Sequence, residues 1–157
     1  MKPSLSLLAL IAAALTPAIL TAGPAMSSPT TSSGQTAKLA LSRSNLGSIL
    51  VDNRGRTLYL FEKDKRGKSS CDGACATYWP PLLTRGTPAA ERGVKLSLLG
   101  VTRRASGVTQ VTYGGHPLYR FAGDAKPGQT SGQNSHAFGA DWYVVSSAGK
   151  KIEKASR

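Results

Sequence analysis

Cys71 and Cys75, four positions apart in SSCDGACATYWPP, are the only thiols of this 157-residue chain, and His116 and His136 are its only histidines. A Cys-x3-Cys pair joined by a histidine is a donor set that suits a soft metal such as copper, or thiol-disulfide exchange. The plainer chemistry of two neighbouring cysteines in an exported chain is one disulfide. That reading is adopted here, with redox or copper handling through Cys71, Cys75 and His116 or His136 kept as the alternative. At this spacing the two can meet in a tight turn or a short helical turn, where a bond would fix the loop carrying Trp79-Pro80-Pro81. A c-type haem is excluded, because Ala76 follows Cys75 where histidine is required.

The second set of reactive groups is a pair of carboxylates. Asp64 closes TLYLFEKD and Asp124 closes PLYRFAGD, so Leu-Tyr-x-Phe-x-x-Asp is spelled twice, sixty positions apart. If the two segments pack about a twofold axis, Asp64 and Asp124 approach each other as an acid/base pair or a metal clamp, the basis of a hydrolase reading. A local reading competes with it. Each aspartate opens a turn-forming segment, Asp-Lys-Arg-Gly or Asp-Ala-Lys-Pro-Gly, where a carboxylate accepts main-chain N–H bonds and glycine closes the turn. The local reading is preferred, and no catalytic residue and no cofactor is assigned. Ser131, His136 and Asp124 form a nucleophile triad only on paper, in a chain with many serines. Gly67-Lys68-Ser69 imitates the end of a phosphate-binding loop, but Glu62 stands where that loop needs its first glycine.

The elements that must position these groups are repeated with them. A slide of sixty positions aligns Leu39 with Leu99, Arg43 with Arg103, Gly47 with Gly107, Val51 with Val111 and Gly55 with Gly115, and then the tyrosine, phenylalanine and aspartate of the doubled motif. Each copy alternates apolar and polar residues with period two and shows no helical period. In the second copy VTQVTY and HPLYRF flank Gly114-Gly115, a link able to take the positive φ of a hairpin turn. Pro117 cannot donate to a ladder, which places its strand at an edge or beside a bulge. The expected fold is all-β: two tandem related β-meander units of three to four strands each, packed as one domain with pseudo-twofold symmetry. Alternation sets Tyr59 and Phe61 on one strand face and Leu58 and Leu60 on the other, matched by Tyr119, Phe121, Leu118 and Arg120. Leu58, Tyr59, Phe61, Trp79, Leu118, Tyr119, Phe121 and Trp142 are the expected hydrophobic centre, and Arg120 opposite Leu60 predicts a partly wet second face.

GRTLYLFEKD, SSCDGACATYWPPLL, QVTYGGHPLYRFAGDAKPGQTSGQ and WYVVSSAGK, in this order, resemble the bacterial secreted-repeat lipoproteins marked by a Tyr-x4-Asp motif, here Tyr59, Phe61, Asp64 and Tyr119, Phe121, Asp124. The likeness spans Leu39 to Gly149. It implies an envelope protein of tandem repeats with no established biochemical function.

The N-terminus supports export. One lysine and an apolar run broken at Pro17 precede Gly23-Pro24-Ala25, the pattern of a signal peptide over 1–25 and too short to span a bilayer. No cysteine follows it, so a lipid anchor is not expected. A Ser/Thr/Pro-rich flexible leader is read over 26–37, a single domain over 38–149 with repeats at 38–83 and 97–149, and a basic tail over 150–157. The formal charge is +12, or +11 without Lys2, which draws such a chain to anionic surfaces. No basic stripe interleaved with exposed aromatics marks a nucleic-acid reader. The function read from the sequence is a noncatalytic secreted or cell-envelope module. Its expected partner is an anionic envelope polymer, a membrane surface or another envelope protein.

Overall fold

The computed structural model describes residues 35–153, apart from 66 and 92. The predicted signal peptide and all but the last three residues of the predicted leader lie outside the described residues, as do the final four residues. The chain is all-β. Strands β1 (Lys38–Ser44) and β2 (Gly47–Asp52) form one antiparallel hairpin, and β5 (Leu99–Arg103) and β6 (Thr109–Tyr113) form its counterpart. Short strands β3 (Tyr59–Phe61), β4 (Ala89–Ala90), β7 (His116–Pro117), β8 (Ser135–Ala137) and β9 (Ala140–Val144) complete three small sheets, ordered β2-β1-β4, β3-β9-β8 and β5-β6-β7. Helix α1 (Ala74–Tyr78) and a 3-10 turn at Leu96–Leu98 are the helical segments among the described residues.

The Gly114-Gly115 link behaves as expected, with φ of +59° and +81°. Gly114 is needed twice over, since a Cβ there would fall 2.7 Å from the Gly149 carbonyl oxygen. Pro117 pairs with Thr112 in the last strand of its sheet, where its missing N–H is tolerated.

The two hairpins obey the sixty-residue repeat at their first strand but not at their second. Leu39 faces Asp52, whereas Leu99 faces Tyr113. The second hairpin thus carries one more residue in its first turn and one fewer in its next. Leu50, not Val51, therefore occupies the place of Val111, and the aligned valines point to opposite faces: Leu50 and Val111 enter one core cluster and Val51 the other.

The last strand of each repeat is exchanged. After α1, Pro80–Leu82 runs beside the second repeat: Arg120 N–H donates to Pro80 O (2.9 Å), Leu82 N–H to Leu118 O (2.9 Å) and Val111 N–H to Leu82 O (2.8 Å). The end of β9 and its continuation run beside the first repeat in the same way. Val145 N–H donates to Leu58 O (3.1 Å) and Leu50 N–H to Val145 O (2.9 Å), while Tyr59 pairs with Val144. Trp79 and Trp142 are therefore structural equivalents, sixty-three positions apart. Neither repeat closes its own sheet.

Between the repeats, Tyr59 and Tyr119 exchange both main-chain bonds, Tyr59 N–H to Tyr119 O at 2.8 Å and Tyr119 N–H to Tyr59 O at 3.0 Å. This pair marks the local pseudo-twofold axis. On one side of it Leu58, Leu60, Leu82, Leu118 and Val145 form an aliphatic cluster. On the other, Tyr59, Phe61, Trp79, Tyr119 and Trp142 form an aromatic one. Phe61 stacks on Trp142 at 4.0 Å and Trp142 on Trp79 at 3.9 Å, with Tyr59 and Tyr119 edge-on to the tryptophans. Of the predicted centre only Phe121 is half-buried; the other seven are buried. Trp79 is thus core, and the disulfide loop delivers it inward to a strand.

Two predicted termini enter the fold. Ala37, in the predicted leader, is buried, donates its N–H to Thr84 Oγ1 (3.0 Å) and accepts from Ala89 N–H (2.8 Å). Lys151, in the predicted tail, bridges to Val145 and bonds Glu62 Oε1 at 2.6 Å, and Ile152 packs on the aromatic cluster.

Candidate functional site

The doubled motif forms one centre in which each tyrosine is held by the other repeat's aspartate. Tyr59 Oη donates to Asp124 Oδ2 at 2.6 Å and Tyr119 Oη donates to Asp64 Oδ2 at 2.7 Å. The second oxygen of each carboxylate is also occupied. Asp64 Oδ1 accepts from the Ser70 N–H (2.7 Å) and hydroxyl (2.8 Å), and Asp124 Oδ1 from Ser131 N–H (2.9 Å). The strand periodicity places the tyrosines inward, and the Phe-x-x-Asp turn then brings each carboxylate back over the core. That turn corrects the expectation: Asp64 N–H bonds Phe61 O and Asp124 N–H bonds Phe121 O, both at 3.1 Å, so the aspartates end a turn where the sequence reading had them open one. Their carboxylates brace main chain six and seven residues further on.

Burial dominates the electrostatics. It pushes the Tyr59 hydroxyl well above the ordinary tyrosine range, reinforced by the hydrogen bond to Asp124. Tyr119 is raised in the same way, by burial first and then by the charge of Asp64. Burial also lifts the Asp64 carboxyl above its usual range, against the opposing pull of Tyr119, Ser70 and the Arg104 guanidinium. Both tyrosines stay protonated donors at neutral pH, which suits holding a carboxylate and does not suit a phenolate nucleophile.

The two halves of the centre differ in one buried cation. Arg104, 8% exposed, donates through Nη1 to Ser69 Oγ (2.8 Å) and Gln110 Oε1 (2.7 Å) and through Nη2 to Cys71 O (2.5 Å) and Asp72 Oδ1 (2.6 Å). Ser69 Oγ in turn lies 2.8 Å from Tyr119 Oη. Arg104 so links the Tyr119–Asp64 bond to the cysteine loop. The other half has Gly132 where the loop presents Cys71: its N–H donates to Tyr59 Oη at 3.3 Å, and a Cβ there would meet the Trp79 ring at 2.7 Å. Sequence reasoning missed Arg104, Ser69, Ser70 and Gly132. Ser69, Ser70 and Gly132 lie in equivalent loops after each aspartate, which unequal spacing conceals, and Arg104, in the turn after β5 with Ser44 sixty positions before it, carries no repeat signal.

Cys71 and Cys75 are joined in a disulfide, with Cα atoms 5.2 Å apart and both residues buried. Neither histidine is brought to them. His136 is exposed and pairs through Nδ1 with Asp141 Oδ1 at 2.6 Å, and half-buried His116 sits in β7 near Asp64. Among the described residues no three histidine, cysteine, aspartate or glutamate side chains gather as metal ligands. The paper triad separates too, because Ser131 meets Asp124 through its main chain and His136 takes Asp141 as its carboxylate. The partly wet second face resolves into an ion pair: Arg120 Nε lies 2.8 Å from Asp52 Oδ2, at an angle outside hydrogen bonding, and Asp52 also pairs with Arg56. Burial and the neighbouring Arg56 lower the Arg120 guanidinium from its ordinary value.

A family model described as a secreted repeat of unknown function matches residues 41–83 and 100–146. The chain belongs to this family. The two secreted-repeat matches end at Leu83 and Ser146, where the exchanged strands end, so each matched segment of this chain includes the strand it lends to its neighbour. No curated protein and no solved structure matches the chain. No helix of the described residues is long and apolar enough to cross a membrane.

Proposed function

We propose that this secreted-repeat protein is a noncatalytic envelope module that binds an anionic extracellular polymer through its basic outer surface. The observation that carries this is how the charges are distributed. Asp52, Asp64 and Asp124 are engaged within the fold by arginine, tyrosine or main chain, and the more exposed Asp72, Glu62 and Asp141 each pair with a side chain of their own. Lys38, Arg43, Arg54, Lys65, Lys68, Arg85, Lys95, Arg103, Lys126 and Lys150 are all exposed. The charge facing solvent is therefore predominantly positive. The saturated carboxylates of Asp64 and Asp124 support an architectural role for the doubled motif and leave neither free as a base.

Export by a signal peptide over 1–25, without a lipid anchor, belongs to the same reading. The test is retention of the mature chain on immobilised poly(glycerol phosphate). Binding should weaken steeply between low and physiological salt, and reversing Lys65, Lys68 and Lys126 to glutamate should reduce it, while Asp64→Asn should not. Absence of retention at low salt, or retention indifferent to salt, would discard the proposal.

A further inference from the structure

The pseudo-twofold leaves one position filled in the first repeat and open in the second. The outer edge of β1 is covered by β4, which runs parallel to it: Ala89 N–H donates to Ala37 O and Glu91 N–H to Leu39 O, both at 2.8 Å. β5 is the counterpart of β1, yet it is the terminal strand of its sheet. The cause lies in the course of the chain beyond each exchanged strand. After Leu82 the chain runs out to β4, whereas after Val145 it turns back at once, Ser146 N–H bonding Lys150 O, and Lys151 pairs with Val145.

The open edge has a defined pattern. Gly114 N–H bonds Leu98 O and Arg104 N–H bonds Val108 O, so the alternation directs the Gly100 and Thr102 groups to β6 and those of Val101 and Arg103 outward. Leu99 also turns its carbonyl outward, while its N–H closes the 3-10 turn on Leu96 O. Beside this edge runs a groove of about 400 Å³ lined by Pro88, Leu96, Leu99, Val101 and Thr109. Leu96 is 71% exposed, Val101 50% and Val108 43%, three of the five large apolar side chains left in solvent among the described residues. Exposed edge strands are ordinarily blunted by a charge or proline. Here the strand centre carries valine, and the basic residues Lys95 and Arg103 flank it.

We infer that the β5 edge is a docking site for an extended polypeptide strand of another exported protein, one whose short apolar run is flanked by acidic residues. Its main chain would pair with Val101 and Arg103 as β4 pairs with β1, its apolar side chains would enter the groove, and its carboxylates would face Lys95 and Arg103. The chain's own covering segment, Pro88-Ala89-Ala90-Glu91, has the same small-apolar and acidic character. A second copy of this chain is a poor occupant, since edge-to-edge pairing would bring the two sets of flanking basic residues together between strongly cationic molecules.

The test is a titration of the mature chain with a synthetic peptide of a short valine run flanked by glutamates, read by affinity and by amide hydrogen exchange. Binding should slow exchange at Val101 and Arg103, and Val101→Pro, which removes an outward N–H and no ladder bond, should weaken it about tenfold. Leu96→Ser, outside the ladder altogether and neutral, should weaken it as well and covers the case in which the proline variant does not fold. Polyglutamate should bind without protecting those two amides. Absence of peptide binding overturns the inference, as does peptide binding without protection of Val101 and Arg103. Concentration-dependent self-association abolished by Val101→Pro would hand the edge to a second copy and overturn it equally.

Discussion

Tyr59 and Tyr119 hold equivalent places, but their hydroxyls are not equally replaceable. Asp124 is 6% exposed and its carboxylate bonds Tyr59 and Ser131 among the described residues, whereas the less buried Asp64 keeps both donors of Ser70 and the field of Arg104. Removing one donor from a buried carboxylate costs more than the bond itself contributes, because the charge stays behind unpaired. Tyr59→Phe should therefore lower stability by about 2–3 kcal/mol and Tyr119→Phe by about 1 kcal/mol, measured by urea unfolding. Both tyrosines are raised in the folded state, so their contribution is intact below the ordinary tyrosine value near 10 and declines as pH rises beyond it, because only the unfolded chain then releases those protons. A melting temperature that falls above about pH 10, with a shallower fall in either phenylalanine variant, is the expected outcome. The sequence displayed Tyr-x4-Asp clearly and concealed its bonding. The carboxylate that serves Tyr59 lies 65 residues away, and local turn chemistry offered a nearer use for it.

The cysteine loop and Arg104 act as one element. A bond closing so short a loop removes little freedom from the unfolded chain, so replacing both cysteines by serine should cost about 2 kcal/mol. Arg104→Met should cost more, about 3 kcal/mol, because the buried Cys71 carbonyl and Gln110 side chain lose a shared donor, while the exposed Asp72 regains water. Denaturation of the two variants under identical conditions checks the order. Among the elements, the hairpin at Gly114-Gly115 and the strand at Trp142 were legible because glycine pairs and apolar alternation are local signals. The strand at Pro80–Leu82 was not, since two prolines argue against a ladder. It is tolerated because the bonds that matter are accepted by Pro80 O and made by Leu82, and neither proline nitrogen is needed.

At the scale of the molecule, the exchanged strands make the repeats interdependent. Most tandem repeats contact their neighbours yet close their own hydrogen bonds; here Leu50, Leu58, Val111 and Leu118 each bond a strand from the other copy. Fragments 26–84 and 85–157, prepared separately, should show little dispersion in their amide spectra, and mixing them in equal amounts should restore the spectrum of the intact chain. Independent folding of either fragment would refute the exchange. The same interdependence explains why the aromatic stack draws Phe61 and Trp142 from different repeats.

The sequence alone determined the strand class, the duplication, the inward tyrosines and the cationic surface, because period-two alternation, recurrence and charge need no knowledge of distant neighbours. Tertiary structure alone decided three things: that each aspartate serves the opposite repeat, that the last strands change places, and that β5 is left uncovered. The physical reason is that each depends on neighbours remote in the chain, and for the exchanged strands the register drifts as well. The spacing between equivalent residues drifts from sixty at the tyrosines to sixty-three at the tryptophans, and in a pleated strand a shift of one residue reverses which face a side chain joins.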